Sequence, residues 1–335
     1  MLKRIFITLL LLALLGMAGY VAWQVYQFLT VPPDNRAEER IVLIEPGTSL
    51  RRTAEILQAA SVLRDKNLFM ILAHFYRDGK SIKAGEYQFT TSMRPVEVLE
   101  KLQDGKVFVR SFTIPEGYTC RQIAEQLAEQ GFGSKDRYLA LAFDKNFAAE
   151  LGIEAETLEG YLFPDTYHVV RGMDEKAVLQ KMVQELLQKI VTADLRREMD
   201  ARGRTLHETL TLASIIEKEA RVAEERELIS AVYTNRLRIG MKLDSDPTVI
   251  YGLKNFDGNL TKADLKKETP YNTYRRRGLP PGPIANPGKA SILAALRPAD
   301  VKYLYFVARN DGTHKFSTRY NEHLRAVREF QKKRK

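Results

Sequence analysis

The sequence predicts an α+β protein made of an N-terminal transmembrane helix, a small α+β subdomain and a larger α+β domain. Three observations lead there. An apolar run extends almost unbroken from Ile5 to Trp23, and after it short β-branched and aromatic runs alternate with amphipathic helical stretches. The 335 residues also exceed what one ordinary core holds together. With 44% hydrophobic and 28% charged residues the chain is globular, which excludes a disordered polyampholyte, a collagen and a polytopic membrane protein.

The first element reads as a membrane anchor over residues 1–32. No charged residue occurs between Arg4 and Asp34, and about 20 apolar residues suffice to cross a hydrocarbon layer of roughly 30 Å. Lys3 and Arg4 precede the run and nothing basic follows until Arg36, so the amino terminus is expected in the cytoplasm and everything after residue 33 outside it. Tyr20, Trp23 and Tyr26 fall where amphipathic rings prefer the outer interface. A cleaved signal peptide is the alternative, with Gly16 and Ala18 as small residues near a cleavage site, but the run is longer than the usual signal core. Val31-Pro32-Pro33-Asp34-Asn35, with the charged stretch through Arg40, reads as a short stiff linker.

The subdomain is expected at 40–106. Ile41 to Ile44 is strand-like, Pro46-Gly47 turns, Thr48 or Ser49 caps, and Leu50, Ala54, Ile56 and Leu57 stripe an amphipathic helix. A helix around Leu68 to Tyr76, an extended Gly85 to Phe89 and a helix started by Pro95 follow. A second strand-turn-helix unit recurs near 112–130, inside the domain assigned to 107–335, with Ile44/Ile114, Gly47/Gly117, Ala54/Ala124 and Leu57/Leu127 in register and Thr119 as cap. These units resemble the LysM-type module, in which a strand-turn-helix pair forms a shallow groove for N-acetylglucosamine-containing chains; a structural spacer is the alternative.

Beyond residue 150 the sequence predicts an aromatic loop or strand at Leu158 to Tyr167 and a polar helix from Glu175 to about Arg202. A strongly helical Thr209 to Gly240 comes next, then a Gly-, Pro-, Asn- and Tyr-rich stretch from Leu243 to Pro298. Strands at Tyr303 to Val307 and His314 to Phe316 flank the turn Asn310-Asp311-Gly312, and a helix closes the chain.

Charge and cysteine usage narrow the chemistry. A net +10 admits anionic partners, but local basic runs occur only at Arg275 to Arg277 and in the tail Lys332 to Lys335, without a nucleic-acid signature, so specific nucleic-acid binding is not expected. Cys120 stands alone, which excludes an intramolecular disulfide and a thiolate-rich zinc site. His207-Glu208 lacks the second histidine of a zincin helix, Ser214 and Ser245 lie in no nucleophile elbow, and no phosphate loop follows a strand. Neither a metal nor a cofactor is expected.

One carboxylate stands out. At about 100° per residue, Glu219 falls in the stripe of Leu212, Ile215, Ile216 and Ala223, whereas Glu217 falls roughly 160° away on the polar side. A glutamate among core positions must be paired, hydrogen-bonded or kept protonated, and a carboxylic acid still protonated near neutral pH can protonate a glycosidic oxygen. The alternative is a salt bridge to Lys218, Arg221 or one of Arg275 to Arg277. Asp165, Asp244 and Asp246 are candidate second carboxylates. Tyr271, Asn272, Tyr274, Leu279 to Pro283 and Asn286 to Gly288 read as a rigid sugar-binding wall, or simply as a loop.

Ala213-Ser214-Ile215-Ile216-Glu217-Lys218-Glu219-Ala220, Asn235-Arg236-Leu237, Asp246-Pro247-Thr248-Val249-Ile250-Tyr251, Tyr271-Asn272-Thr273-Tyr274, Gly278-Leu279-Pro280-Pro281-Gly282-Pro283 and Asn286-Pro287-Gly288 together resemble the YceG-like family of endolytic murein transglycosylases (MltG). The resemblance takes in nearly the whole chain, including Glu159 to Asp165. It implies a single-pass protein of the inner membrane whose exported domain cuts the β-1,4 bond between N-acetylmuramic acid and N-acetylglucosamine of nascent peptidoglycan, leaving 1,6-anhydro ends and so terminating glycan elongation. It also implies that the second glutamate of Glu217-Lys218-Glu219 is the catalytic acid, with Glu217 as runner-up. Candidates for substrate binding are Asp246, Thr248, Tyr271, Asn272, Tyr274, Glu159 and Asp165. Peptidoglycan synthases (penicillin-binding proteins) are the implied partners. Two rivals are an aminodeoxychorismate lyase, which would need a Schiff-base lysine and a phosphate cup that the sequence does not display, and a non-catalytic glycan-binding scaffold.

Overall fold

A computed structural model describes residues 2–76 and 81–331, so the basic tail Lys332 to Lys335 lies outside the described residues. The chain divides into two compact units, one of Met1–Arg110 with His168–Gly172 and one of Ser111–Tyr167 with Met173–Lys335.

The first unit opens with α1 (Leu2–Thr30). Arg4–Thr30 has a mean hydropathy of 2.4, long and apolar enough to cross a membrane, a property that signal sequences share. Its large side chains from Ile5 to Tyr26 are exposed, but Phe28 is buried in the core of the unit. The stretch after it is tied down rather than free, because Asp34 N–H donates to Thr91 O and Thr91 N–H to Glu38 O.

Then come β1 (Glu39–Ile44), α2 (Leu50–Ala59), α3 (Lys66–Phe75), β2 (Gly85–Thr90) and α4 (Pro95–Asp104). β1 and β2 pair antiparallel from Glu39 opposite Thr90 to Ile44 opposite Gly85, with two helices between them in sequence. Strand alternation turns Val42 and Ile44 inward and leaves Ile41 outside. Ser49 Oγ accepts from Arg52 N–H and so starts α2, which buries Ala54 and Leu57. Pro95 starts α4, and Gly105, at φ 72°, ends it in a left-handed conformation.

β3 (Val109–Thr113) pairs with β4 (Thr166–Val170), and the division between the units falls within both strands. In the second unit α5 (Cys120–Glu129) begins at a Thr119–Gln122 capping box, so the recurrent strand, turn and capped helix do form, although the strand paired with β3 is far off in sequence. α6 (Lys135–Ala142) and α7 (Lys145–Glu150) follow. The polar helix expected from Glu175 to Arg202 is broken into α8 (Glu175–Glu185), a π turn at Leu186–Ile190 and α9 (Ala193–Ala201), because Thr192 Oγ1 accepts from Leu195 N–H and caps a new helix. The segment Thr209 to Gly240 is likewise two helices, α10 (Leu206–Glu219) and α11 (Arg226–Arg238), with extended backbone at Ala220 between them. α10 is buried on every side from Thr209 to Ile216, so the two-faced helix expected from the sequence is instead a central one. It packs against α11 and α13 (Lys289–Leu296).

α12 (Asp246–Gly252) lies between α11 and α13 in the chain. A hairpin of β5 (Tyr305–Ala308) and β6 (His314–Ser317), with Tyr305 opposite Ser317 and Ala308 opposite His314, packs with α14 (Tyr320–Phe330).

Leu57 is fully buried in the core of the first unit. Leu57→Ala is expected to cost about 3 kcal/mol of stability, read by denaturant unfolding of the full chain.

Candidate active site

Glu219 is the last residue of α10, a helix held at its start by the Thr205–Glu208 capping box. Its Oε1 accepts two hydroxyl hydrogen bonds, from Tyr233 at 3.0 Å and from Ser245 at 2.8 Å. Burial raises the carboxyl above its ordinary range, the two donors pull it partly back, and the negative charge of Asp246 adds to the rise. The carbonyl-rich end of α10, where the side chain sits, acts in the same direction as burial. Among the described residues Glu219 makes no ion pair, which answers the salt-bridge alternative: Lys218 turns away to donate to Gly117 O.

Each donor is placed by its own neighbours. Tyr233 is buried on α11, and Ser245 immediately precedes α12. Ser245 N–H donates to Thr273 Oγ1 at 3.0 Å, while Thr248 Oγ1 donates to Ser245 O at 2.7 Å and meets Thr273 Oγ1 at 2.8 Å. Thr248 and Asn272 are fully buried. Asn272 holds the loop, donating to Leu265 O and Lys267 O and accepting from Tyr274 N–H. Tyr274 OH then donates to the exposed Asp246 at 2.7 Å.

A cavity of about 540 Å³ lies over this group, bordered by Glu219, Tyr233, Asp246, Tyr274, Tyr305 and His314. The structure therefore brings Glu219, Asp246 and Tyr274 to one cavity and places Thr248 and Asn272 behind them. Burial pushes Asp244, also at this cavity, upward.

The remaining candidates lie elsewhere. Glu159 is enclosed: its Oε1 accepts from Cys120 N–H at 3.0 Å and Asn286 Nδ2 at 3.2 Å, and its Oε2 accepts from Tyr251 OH at 3.0 Å. Burial pushes it up to about 7. Tyr271 packs on Tyr251 at 4.7 Å and borders a different cavity of about 690 Å³ beside His207. Asp165 is exposed and accepts from Thr166 N–H. Glu217, expected on a polar face, is instead largely covered, with 8% of its side chain exposed, and accepts from Gly288 N–H at 3.0 Å. Of the expected sugar-binding wall, Pro280, Gly282, Pro283 and Asn286 to Gly288 are buried, whereas Leu279 is half-buried and Pro281 exposed. Asn286 explains the burial, since it donates to Tyr118 O and accepts from Leu162 N–H, sewing the loop into the unit.

Sequence reasoning missed three groups at the cavity, Tyr233, Arg236 and His314, and the role of Ser245 behind it. Tyr233 and Arg236 lie on α11, and Arg236 braces the hairpin through Leu304 O at 2.7 Å. Ser245 lies in no nucleophile elbow, but its place just before Asp246-Pro247 marks a helix start. His314 pairs with Glu225 at 2.6 Å, a contact between residues too distant in sequence to be read there. Among the described residues no group of three or more His, Cys, Asp or Glu side chains could hold a metal ion.

A model of the YceG-like family matches residues 42–329. The endolytic murein transglycosylase of Bacillus subtilis is 32% identical, over 86% of this chain and 83% of its own length. That of Streptococcus pneumoniae D39 is 28% identical over 96% of this chain, which spans 64% of the longer relative. A crystal structure of a YceG-like protein from Listeria monocytogenes superposes with a TM-score of 0.60 at 34% identity, covering 86% of this chain and 98% of that one.

The raised Glu159 carboxyl has a sign that stability measurements can read. Because it is pushed up to about 7 in the folded chain, the protonated form is favoured there, so its contribution is full at low pH and is lost as pH rises from the unfolded value, about 4.3, to about 7. Glu159→Gln removes that dependence. The stability of the variant minus that of the wild type is expected to rise by about 3 kcal/mol between pH 4.5 and 7.5 in denaturant titrations, then level off.

Proposed function

The chain belongs to the YceG-like family, and on that premise we propose that it is an endolytic lytic transglycosylase of peptidoglycan with Glu219 as its acid. The observation that carries this reading is a carboxyl raised by burial, held by two neutral hydroxyls and open to a cavity. The names of the relatives, murein transglycosylases, supply the substrate class.

Glu219, protonated, gives its proton to the oxygen leaving C1 of the muramic residue. As a carboxylate it then takes the proton of the C6 hydroxyl while that oxygen closes on C1, so no water is consumed and a 1,6-anhydro end remains. Tyr233 and Ser245 hold Oε1 through both steps. Tyr274 and Asp246 offer a hydroxyl and a carboxylate at the cavity rim to orient sugar hydroxyls. Thr248 and Asn272 act one layer back, on Ser245 and Tyr274. Glu159 serves the second unit's interior, and Tyr271 packs on Tyr251 at the border of the other cavity.

The apolar α1 anchors the chain in the inner membrane, and Lys3 and Arg4 set its amino terminus on the cytoplasmic side. The domain that follows is then exported, near the synthases that polymerise nascent strands, and its cuts limit strand length. The antiparallel β1–β2 pair with two helices between its strands supports a LysM-like subdomain at 40–106 that holds glycan, followed in the chain by a catalytic domain at 107–335.

Glu219→Gln is expected to lower anhydro-end formation by about 100-fold to 10,000-fold with the fold retained, measured by mass spectrometry of digested glycan strands. Wild-type rates in that variant would remove Glu219 from the chemistry, and intact strands with the wild-type chain would leave a binding scaffold. Ser245→Ala deletes a donor that favours the carboxylate. The acid then stays protonated to higher pH, so the alkaline fall of activity is expected to move upward in a pH–rate profile.

A further inference from the structure

We propose that His314, set by Glu225, is a second group of this reaction centre, and that its Nε2 accepts the acetamido N–H of the muramic residue being cut. The inference rests on the transglycosylase reading above. His314 opens β6, and Glu225 holds it twice: Oε1 accepts from its backbone N–H at 2.8 Å, and Oε2 meets Nδ1 at 2.6 Å. Phe306 fixes the ring from a third direction, edge to face at 5.2 Å and 87°. An ionised carboxylate only accepts, so it sets the proton on Nδ1, and in the neutral form of the ring the lone pair lies at Nε2. The ring borders the same cavity as Glu219.

Both members of the pair are largely covered, at 8% and 11% side-chain exposure, and burying a carboxylate is costly unless it is paired. The pair therefore fixes the orientation of the ring and the proton on Nδ1, and Nε2 is the nitrogen we assign to the occupant of the cavity that His314 borders. Tyr233, which donates to Glu219, packs edge to face at 5.8 Å on Phe306, the residue that also fixes the His314 ring.

The chemistry needs such a second position. In the anhydro product the C6 oxygen occupies the face of C1 that the leaving oxygen vacated, so one carboxyl serves both events there. On the opposite face the acetamido oxygen can bond to C1. The C1–O bond breaks with its electron pair on the leaving oxygen, which takes the Glu219 proton, and the sugar becomes a cyclic oxazolinium. The C6 oxygen then displaces the acetamido oxygen, and its proton returns to Glu219. The N–H proton stays on nitrogen throughout, hydrogen-bonded to His314, which aims the amide and makes its oxygen a better nucleophile.

The test uses the full chain and two substrates, glycan strands fully N-acetylated and strands de-N-acetylated at muramic acid, with anhydro ends counted by mass spectrometry. The wild type is expected to prefer the acetylated strands by about tenfold to a hundredfold, and H314A to lose that preference through kcat with KM little changed. H314Q, whose side-chain amide oxygen can reach the place of Nε2, is expected to recover part of it. Should H314A fail to fold by circular dichroism, H314F keeps a ring against Phe306 without an acceptor and carries the same comparison. A wild type indifferent to the acetyl group, or a His314 variant without an acceptor that keeps the wild-type preference, overturns the proposal while the enzymatic reading stands. A wild-type chain that makes no anhydro ends overturns both.

Discussion

The arrangement of the second unit turns on a carboxyl group held by neutral donors. A cation paired with Glu219 would strongly favour its ionised form, whereas hydroxyls from Tyr233 and Ser245 satisfy Oε1 without supplying charge, and His314 contributes the smallest of the effects that lower the group. Burial then prevails, and the group rises. Much of the surrounding fold can be read as support for those two hydroxyls: the Thr248–Thr273 pair behind Ser245, and the packing of α11 on α10 and α13 that fixes Tyr233.

Glu159 obeys the same physics and reaches a different end. It too accepts from uncharged donors, and it too is pushed upward by burial. Its two oxygens are both engaged, one by Cys120 and Asn286 and the other by Tyr251, so it links three segments of the unit from inside. At Glu219 both bonds fall on Oε1, and the residue borders a cavity. A raised carboxyl marks a functional group only where something can reach it.

How much of this was legible in the sequence depended on the range of the interaction. Short-range signals carried well: Thr48 or Ser49 and Thr119 as caps, of which Ser49 and Thr119 act, Pro95 as a helix start, and the strand at Ile41 to Ile44. The singular position of Glu219 was visible as a charge among apolar residues, but the supporting picture of one continuous helix with a polar back was not correct. α10 is surrounded, and the chain turns out of helix at Ala220. The loop part of the expected wall, Leu279 to Pro283 and Asn286 to Gly288, showed the converse failure. Its prolines and glycines suggested an exposed surface, yet Asn286 to Gly288 are buried, and Asn286, reaching Tyr118, Leu162 and Glu159, reveals why. Such partners lie more than a hundred residues away in the chain, beyond any periodicity.

The break at Ala220 is also what lets one helix serve the whole cavity. Had α10 run on through Glu225, that carboxylate would have stayed in line with the helix; instead a short 3₁₀ turn at Ala223–Glu225 precedes α11 and brings it to His314. Counting about 100° per residue from there, Tyr233 lies about 80° around α11 and Arg236 about 20°, so all three share one side. From that side Glu225 holds the hairpin's histidine, Tyr233 holds the acid, and Arg236 braces the hairpin at Leu304 and the chain before α12 at Leu243. The acid, the hairpin and the approach to α12 thus take their positions from a single helix, and a rigid-body shift of α11 would move all of them together rather than change one contact at a time.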